Sequence, residues 1–272
     1  QRKRYLTALL AAIENNEEAL FDGLYKDLKK SKEEARLTET GFVIQDLKHT
    51  LSHFKKWMRP KRVVNNLINF PGKSRIHNEP LGVVLIISPW NYPFNLLFSP
   101  LIAAIAAGNT VVLKPSEFAP ATSTAMKQII ESVFPKNIVL YVEGDGSKLI
   151  PAMMENFRFD HIFYTGSTQV GKKIYEAAAK NLTPVTLELG GKSPCVVDAD
   201  ANLEVAAKRI VFSKFLNAGQ TCVAPDYLLV HQSKQEVFIK LLKKYIFQFY
   251  TDPVQDGHDF GKIVNEDQFK RL

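Results

Sequence analysis

Residues 81–88 read Leu-Gly-Val-Val-Leu-Ile-Ile-Ser, and the segments on either side of them decide the architecture. A continuous apolar run with no polar alternation is the pattern of a strand buried on both faces. A helical stretch follows at 95–107, then a second strand at 109–114 (NTVVLK). The alternation continues with a helix near 121–133, a strand at 137–142 (NIVLYV), a helix near 147–155, a strand at 161–166 (HIFYTG), a helix at 169–179 and a strand at 184–189 (PVTLEL). Five short strands alternating with four helices predict an α/β fold built on a doubly wound parallel sheet. Upstream, residues 1–58 are helical: Ile44, Leu47, Leu51 and Phe54 make one apolar stripe, and Pro60 ends it. Residues 61–80 read as an extended hairpin turning at Pro71-Gly72. After residue 191, strands at PCVVDA and YLLVH and helices at 202–216 and 233–248 begin a second α/β unit.

The bulk numbers set limits on function. The chain has 272 residues, 46% hydrophobic and 23% charged, with a net charge of +7. The lysines are scattered over helical faces rather than gathered in one stripe, and no nucleic-acid motif accompanies them, so no nucleic-acid partner is expected. No apolar run approaches the roughly 20 residues that span a bilayer. The N-terminal stretch is no signal peptide, because Leu6, Leu9, Leu10 and Ile13 keep helical spacing with charges interleaved. Two cysteines cannot make a disulfide framework, which points to a reducing, cytoplasmic compartment.

Four segments at predicted strand ends carry candidate chemistry, and each has a plainer reading. In FYTGSTQVG (163–171) a strand runs through Gly166, Ser167, Val170 and Gly171 into a helix, where open backbone N–H groups suit a phosphate. The spacing is G-x-x-x-x-G, not the G-x-G-x-x-G dinucleotide fingerprint, and a simple strand-to-helix turn fits as well. In VVLKPSE (111–117), Lys114 and Glu117 lie where an open parallel sheet binds ligands and can hydrogen-bond ribose hydroxyls. The plain alternative is a helix start with Ser116 as cap. In SPWNYP (88–93), Asn91, between Trp90 and Tyr92, is a neutral amide able to hold a developing oxyanion, or an asparagine satisfying a loop. In PVTLELGGKSP (184–194), Glu188 is a carboxylate in an otherwise apolar strand; partial burial would raise its pKa and make it a general base, whereas pairing with Lys192 would make it structural.

The two cysteines differ in setting. Cys195 lies among apolar neighbours in SPCVVDA and reads as a small hydrophobe. Cys222 closes a polar turn, NAGQTC (217–222), where a thiol stands open to a ligand.

Taken together, SPWNYP, LKPSE, FYTGSTQVG, LELGGKSP and GQTC resemble the aldehyde dehydrogenase superfamily, in the family's order and with its interval from Glu188 to Cys222. EPLGVVLIISPWNYPF and PLIAAIAAGNTVVLKPSE are most similar to the class 3, or fatty-aldehyde, branch. The resemblance implies that Cys222 is the nucleophile, Glu188 the general base, and Asn91 with the Cys222 backbone N–H the oxyanion donors. Lys114 and Glu117 would hold the adenosine ribose, and Gly166, Ser167, Val170, Gly171 and Trp90 would line the rest of the cofactor site. Tyr92 would line the aldehyde channel. The cofactor implied is NAD, with NADP as the alternative, and no metal. The implied division is an NAD(P)-binding domain over 1–190, with an oligomerisation hairpin near 61–80, and an incomplete catalytic domain over 191–272. The family's Glu-Ile-Phe-Gly-Pro segment and C-terminal oligomer strand are not in this sequence, so a fragment is expected. The implied reaction is oxidation of an aldehyde, long-chain or aromatic, to an acid through a thiohemiacetal and a thioester. A homodimer is expected for the full-length protein, and an anchor in a C-terminal segment stays open. The alternatives are a coenzyme A-acylating relative, a thiol hydrolase needing a histidine base, and a catalytically inactive structural relative.

Overall fold

The chain opens in helices in the computed structural model, which describes residues 1–250 and 260–272. These are α1 (Arg2–Asn15), α2 (Glu17–Leu28), the short α3 (Lys32–Ala35), a π-helical turn over Arg36–Thr40, and α4 (Gly41–Trp57). The stripe expected on α4 is present: Leu47 and Phe54 are buried, and Ile44 and Leu51 pack against the same core. The expected hairpin follows as β1 (Lys61–Val63) and β2 (Ser74–Ile76), antiparallel, with Lys61 opposite Ile76 and every strand residue exposed.

The predicted alternation then holds, with element ends within a few residues of those read from the pattern. It comprises β3 (Val83–Ile87), α5 (Asn95–Ala107), β4 (Thr110–Lys114), α6 (Pro120–Val133), β5 (Val139–Tyr141), α7 (Gly146–Asn156), β6 (His161–Gly166), α8 (Thr168–Ala179) and β7 (Val185–Leu189). The strands form one parallel sheet in the order β5-β4-β3-β6-β7. The run at 83–87 is apolar throughout because β3 is central. Val84 and Ile86 enter the core made with α1, α4, α5 and α6, while Leu85 and Ile87 enter the core with α7 and α8. Strand order reverses around β3, so the crevice for a ligand opens beyond the carboxyl ends of β3 and its neighbours.

The chain continues with β8 (Ser193–Val197), α9 (Leu203–Phe215), β9 (Pro225–Val230), α10 (Gln235–Phe249) and α11 (Glu266–Arg271). β8 and β9 pair in parallel as a separate two-stranded sheet. Val197, Ala207, Val211, Phe238 and Tyr245 form its own small core. Among the described residues no helix is long and apolar enough to cross a membrane.

Candidate functional site

The parallel register brings the sequence motifs to one edge. Ile87, the last residue of β3, lies opposite Lys114 on one side and Tyr164 on the other. Gly166 ends β6 opposite Leu189, and Glu188 pairs with Thr165. The loop from Ser88 to Phe94 therefore leaves the sheet between Lys114 and the start of α8, carrying Trp90 and Asn91, both half-buried.

The Cys222 turn reaches this edge by an unusual backbone. After α9, Asn217, Ala218 and Gly219 take φ values of 53°, 53° and 78°. Left-handed backbone at two non-glycine residues is strained and persists only where the surroundings hold it. Here they do. Asn217 is fully buried; its backbone N–H donates to Glu34 Oε1 (2.7 Å), and its Nδ2 donates to the carbonyls of Asn91 (2.8 Å) and Gln220 (3.2 Å). Asn91 Nδ2 donates to the Gln220 carbonyl (2.9 Å). Gln220 is itself buried, with Nε2 donating to the carbonyls of Asn217 and Lys262 (both 3.0 Å) and Oε1 accepting the Val264 N–H (3.0 Å). The result is a fixed turn that presents Cys222, exposed, two residues beyond the carbonyl that the Asn91 carboxamide holds.

Tyr92 follows Asn91 in the same loop. It is buried, and its hydroxyl is bonded to Thr221 Oγ1 at 2.5 Å. Burial, only partly offset by that hydrogen bond, pushes the phenol up to about 12, so it stays neutral and braces the turn.

Glu188 requires a correction. Partial burial was expected, but its side chain is exposed. β7 is an edge strand of the sheet, and among the described residues no atom lies within 4 Å of a Cβ built on Gly190 or Gly191. The structural pairing with Lys192 is not observed either, because Lys192 pairs with Asp226 at 3.0 Å.

Lys114 and Glu117 are built as a unit. The Lys114 side chain is buried, and Nζ donates to the Pro115 carbonyl (2.6 Å) and Glu117 Oε2 (3.0 Å). Glu117 Oε1 accepts the Gly146 N–H (3.0 Å). Burial works against ionisation of Glu117, but the backbone N–H donors of Glu117 and Gly146, with Lys114, outweigh it and hold the carboxyl below its usual range. The plainer reading of Ser116 as helix cap fails, since α6 starts later, at Pro120. Its free N–H groups at Ala121 and Thr122 are met instead by the Asp27 carboxylate of α2 (3.2 and 2.7 Å).

At α8, Ser167 caps the helix by accepting the Val170 N–H (3.3 Å). A Cβ on Gly166 would sit 2.2 Å from the Tyr164 hydroxyl, and one on Gly171 2.9 Å from Leu189, so both glycines are required by packing. Ser167 and Val170 are exposed at the helix start.

A group of residues that sequence reasoning missed lies beneath Asn91. Lys30 and Glu39 form an ion pair at 2.6 Å with both side chains fully buried. Burial pushes the Glu39 carboxyl up, against the pull of Lys30, and burial likewise raises Glu34. In the sequence, Lys30 sits in Lys29-Lys30-Ser31-Lys32 and looks like any solvated charge run. No histidine joins the site among the described residues: His49 and His53 are on α4, His77 follows β2, His161 opens β6 at the opposite edge, and His231 follows β9. His258 lies outside the described residues.

Neither cysteine is in a disulfide; Cys195 is half-buried in β8, paired with Leu228, and Cys222 is exposed. Under limiting iodoacetamide, peptide mass spectrometry is expected to find Cys222 alkylated well before Cys195. The reverse order would contradict an accessible Cys222.

Comparison with known proteins places this architecture. The model of the aldehyde dehydrogenase family matches residues 1–272. The chain is 47% identical over 271 residues to 4,4'-diaponeurosporen-aldehyde dehydrogenase of Staphylococcus aureus, covering 100% of this chain and 59% of that protein. It is 43% identical to the dimeric NADP-preferring aldehyde dehydrogenase of Rattus norvegicus, with the same coverages of 100% and 59%. The solved substrate-bound state of Staphylococcus aureus AldH superposes with a TM-score of 0.95 at 46% identity, covering 99% of this chain and 58% of that one. The sequence thus spans well under two thirds of the proteins it matches.

Proposed function

This chain belongs to the aldehyde dehydrogenase family, and from that premise we propose that the whole protein oxidises an aldehyde to a carboxylic acid with a nicotinamide dinucleotide as acceptor. One observation carries the reading: an exposed cysteine on a strained, fully braced turn, tied to the Asn91 carboxamide through the Gln220 carbonyl. A structural cysteine needs neither the strain nor the exposure.

The Cys222 thiolate attacks the aldehyde carbon, giving a thiohemiacetal oxyanion. The Asn91 Nδ2 spends one N–H on Gln220 and keeps a second, which with the Cys222 backbone N–H stabilises that oxyanion. A thioester remains on Cys222 after oxidation. Glu188, free of Lys192 and facing open space, takes the proton of the water that hydrolyses it. A carboxylate placed for water favours the acid product over acyl transfer to coenzyme A.

The residues present fit a dinucleotide. Glu117 is an ionised acceptor and Lys114 an ammonium with one N–H left over, a donor–acceptor pair suited to vicinal ribose hydroxyls. Gly166, Ser167, Val170 and Gly171 frame an open helix start for the phosphates, and Trp90 stands in the neighbouring loop. When bound, the nicotinamide supplies the acceptor for the hydride that leaves the substrate carbon. The negative Glu117 disfavours a 2′-phosphate, which supports NAD, while the similarity to the NADP-preferring rat enzyme keeps NADP as the alternative. Glu117→Gln is expected to raise the NAD dissociation constant roughly 10-fold, the worth of one charged hydrogen bond, and to narrow the preference over NADP. Unchanged affinity for both would remove Glu117 from the cofactor site.

The boundary near residue 190, the 61–80 hairpin as an oligomer contact in a homodimer, a long-chain or aromatic aldehyde as substrate and a cytoplasmic location belong to the same proposal. The exposed apolar residues of the hairpin, Val64, Leu67, Ile68 and Phe70, support the second of these.

A further inference from the structure

A lysine with no access to water is the least expected group near the site. Lys30 is 1% exposed. A buried ion pair is seldom worth more to stability than an apolar pair of the same volume, so its presence asks for another reason. Two donors of the ammonium are hydrogen-bonded, and an aromatic ring faces it. One meets Glu39 Oε1 (2.6 Å), one the Asn91 carbonyl (2.9 Å), and the face of the Tyr92 ring lies 4.1 Å away. The second oxygen of Glu39 accepts the Asn95 N–H (2.8 Å), at the start of α5. The pair thus grips the backbone at both ends of the segment that carries Asn91 and Tyr92.

The Asn91 side chain needs that grip. Its Oδ1 is buried with no hydrogen-bond donor among the described residues. Among the described residues, only the bond from Nδ2 to the Gln220 carbonyl orients the carboxamide directly. Its remaining orientation comes from its backbone, whose carbonyl is held by Lys30 and Asn217. We propose that Lys30, seated by Glu39, is a positioning residue that fixes the Asn91 carboxamide against the Cys222 turn. The inference rests on Asn91 as oxyanion donor, and the test separates the two.

The test is a double-mutant cycle on the full-length enzyme, following kcat, KM, dinucleotide affinity and thermal unfolding. Lys30→Met with Glu39→Gln removes both charges of the pair together, and the glutamine oxygen still accepts from Asn95; half-buried Glu34 loses the pull of Lys30, and Glu34→Gln alone is the control for that loss. Displacement of a catalytic group at this scale lowers kcat roughly 10- to 100-fold. Dinucleotide affinity stays at the wild-type value, because Lys114 and Glu117 are untouched. Asn91→Ala alone lowers kcat about 10²- to 10³-fold. It keeps the backbone carbonyl, so adding the Lys30 and Glu39 substitutions to it lowers kcat no further. Lys30→Gln, which keeps a donor for Glu39 but is too short for the Asn91 carbonyl, is read through the same cycle if the paired variant does not fold. Wild-type kcat in the Lys30 variants overturns the proposal, as does a full multiplicative loss on top of Asn91→Ala. If Asn91→Ala itself turns over normally, the oxyanion reading has failed, and the positioning role falls with it.

Discussion

Cys222→Ala in the full-length enzyme is expected to lower aldehyde oxidation by roughly 10⁴-fold or more, the scale seen when a catalytic nucleophile is deleted. Binding of the dinucleotide is expected to persist, because Lys114, Glu117 and the α8 helix start lie at or just beyond the ends of β4 and β6 and not on the Cys222 turn. The substitution should also fold. Cys222 is exposed, and the hydrogen bonds that hold its turn come from Asn91, Asn217, Gln220 and Thr221, none of which uses the sulfur. Reduced dinucleotide formation checks the first part, and calorimetric titration with NAD checks the second. Residual turnover near wild type would refute the nucleophile assignment. Loss of binding along with turnover would show a collapsed fold, which the exposed position argues against.

The second large effect concerns Glu188. Glu188→Gln removes the carboxylate without changing the shape of β7, whose pairing with β6 runs through the backbone. A general base contributes typically 10²- to 10⁴-fold, and a loss of about that size is expected in the steady-state rate. The loss should fall on thioester hydrolysis. A rapid burst of reduced dinucleotide, equal to the active sites, should precede the slow phase, because oxidation comes before water is needed. A normal steady-state rate would remove Glu188 as the base. Loss of the burst as well would move its role to activation of the thiol. In this chain Glu188 lies on the exposed face of β7.

Much of the arrangement was legible in the pattern of residues, and the reasons are specific. Val83–Ile87 reads as a central strand because both of its faces meet cores. Cys222 reads as available because polar neighbours and glycine surround it, and the turn exposes it. Lys114 and Glu117 read as a strand-end pair, and they bond to each other. What local pattern could not show depends on distant partners. Ser116 looked like the cap of α6, but Asp27, from α2, satisfies that helix start. Glu188 looked half-buried by its strand neighbours, but strand order, not strand sequence, puts β7 at the sheet margin. Lys30 has no periodic or motif signal, since its burial is created by Glu39 and Tyr92 closing over it from elsewhere in the chain.

The most direct measurement is acid quenching of the full-length Glu188→Gln enzyme during turnover of a medium-chain aldehyde with NAD, followed by peptide mass spectrometry. An acyl group on the peptide containing Cys222, at near-stoichiometric occupancy and labile to hydroxylamine, is the predicted result. Product formation with Cys222 unmodified, or with the acyl group on Cys195 or another residue, would contradict it.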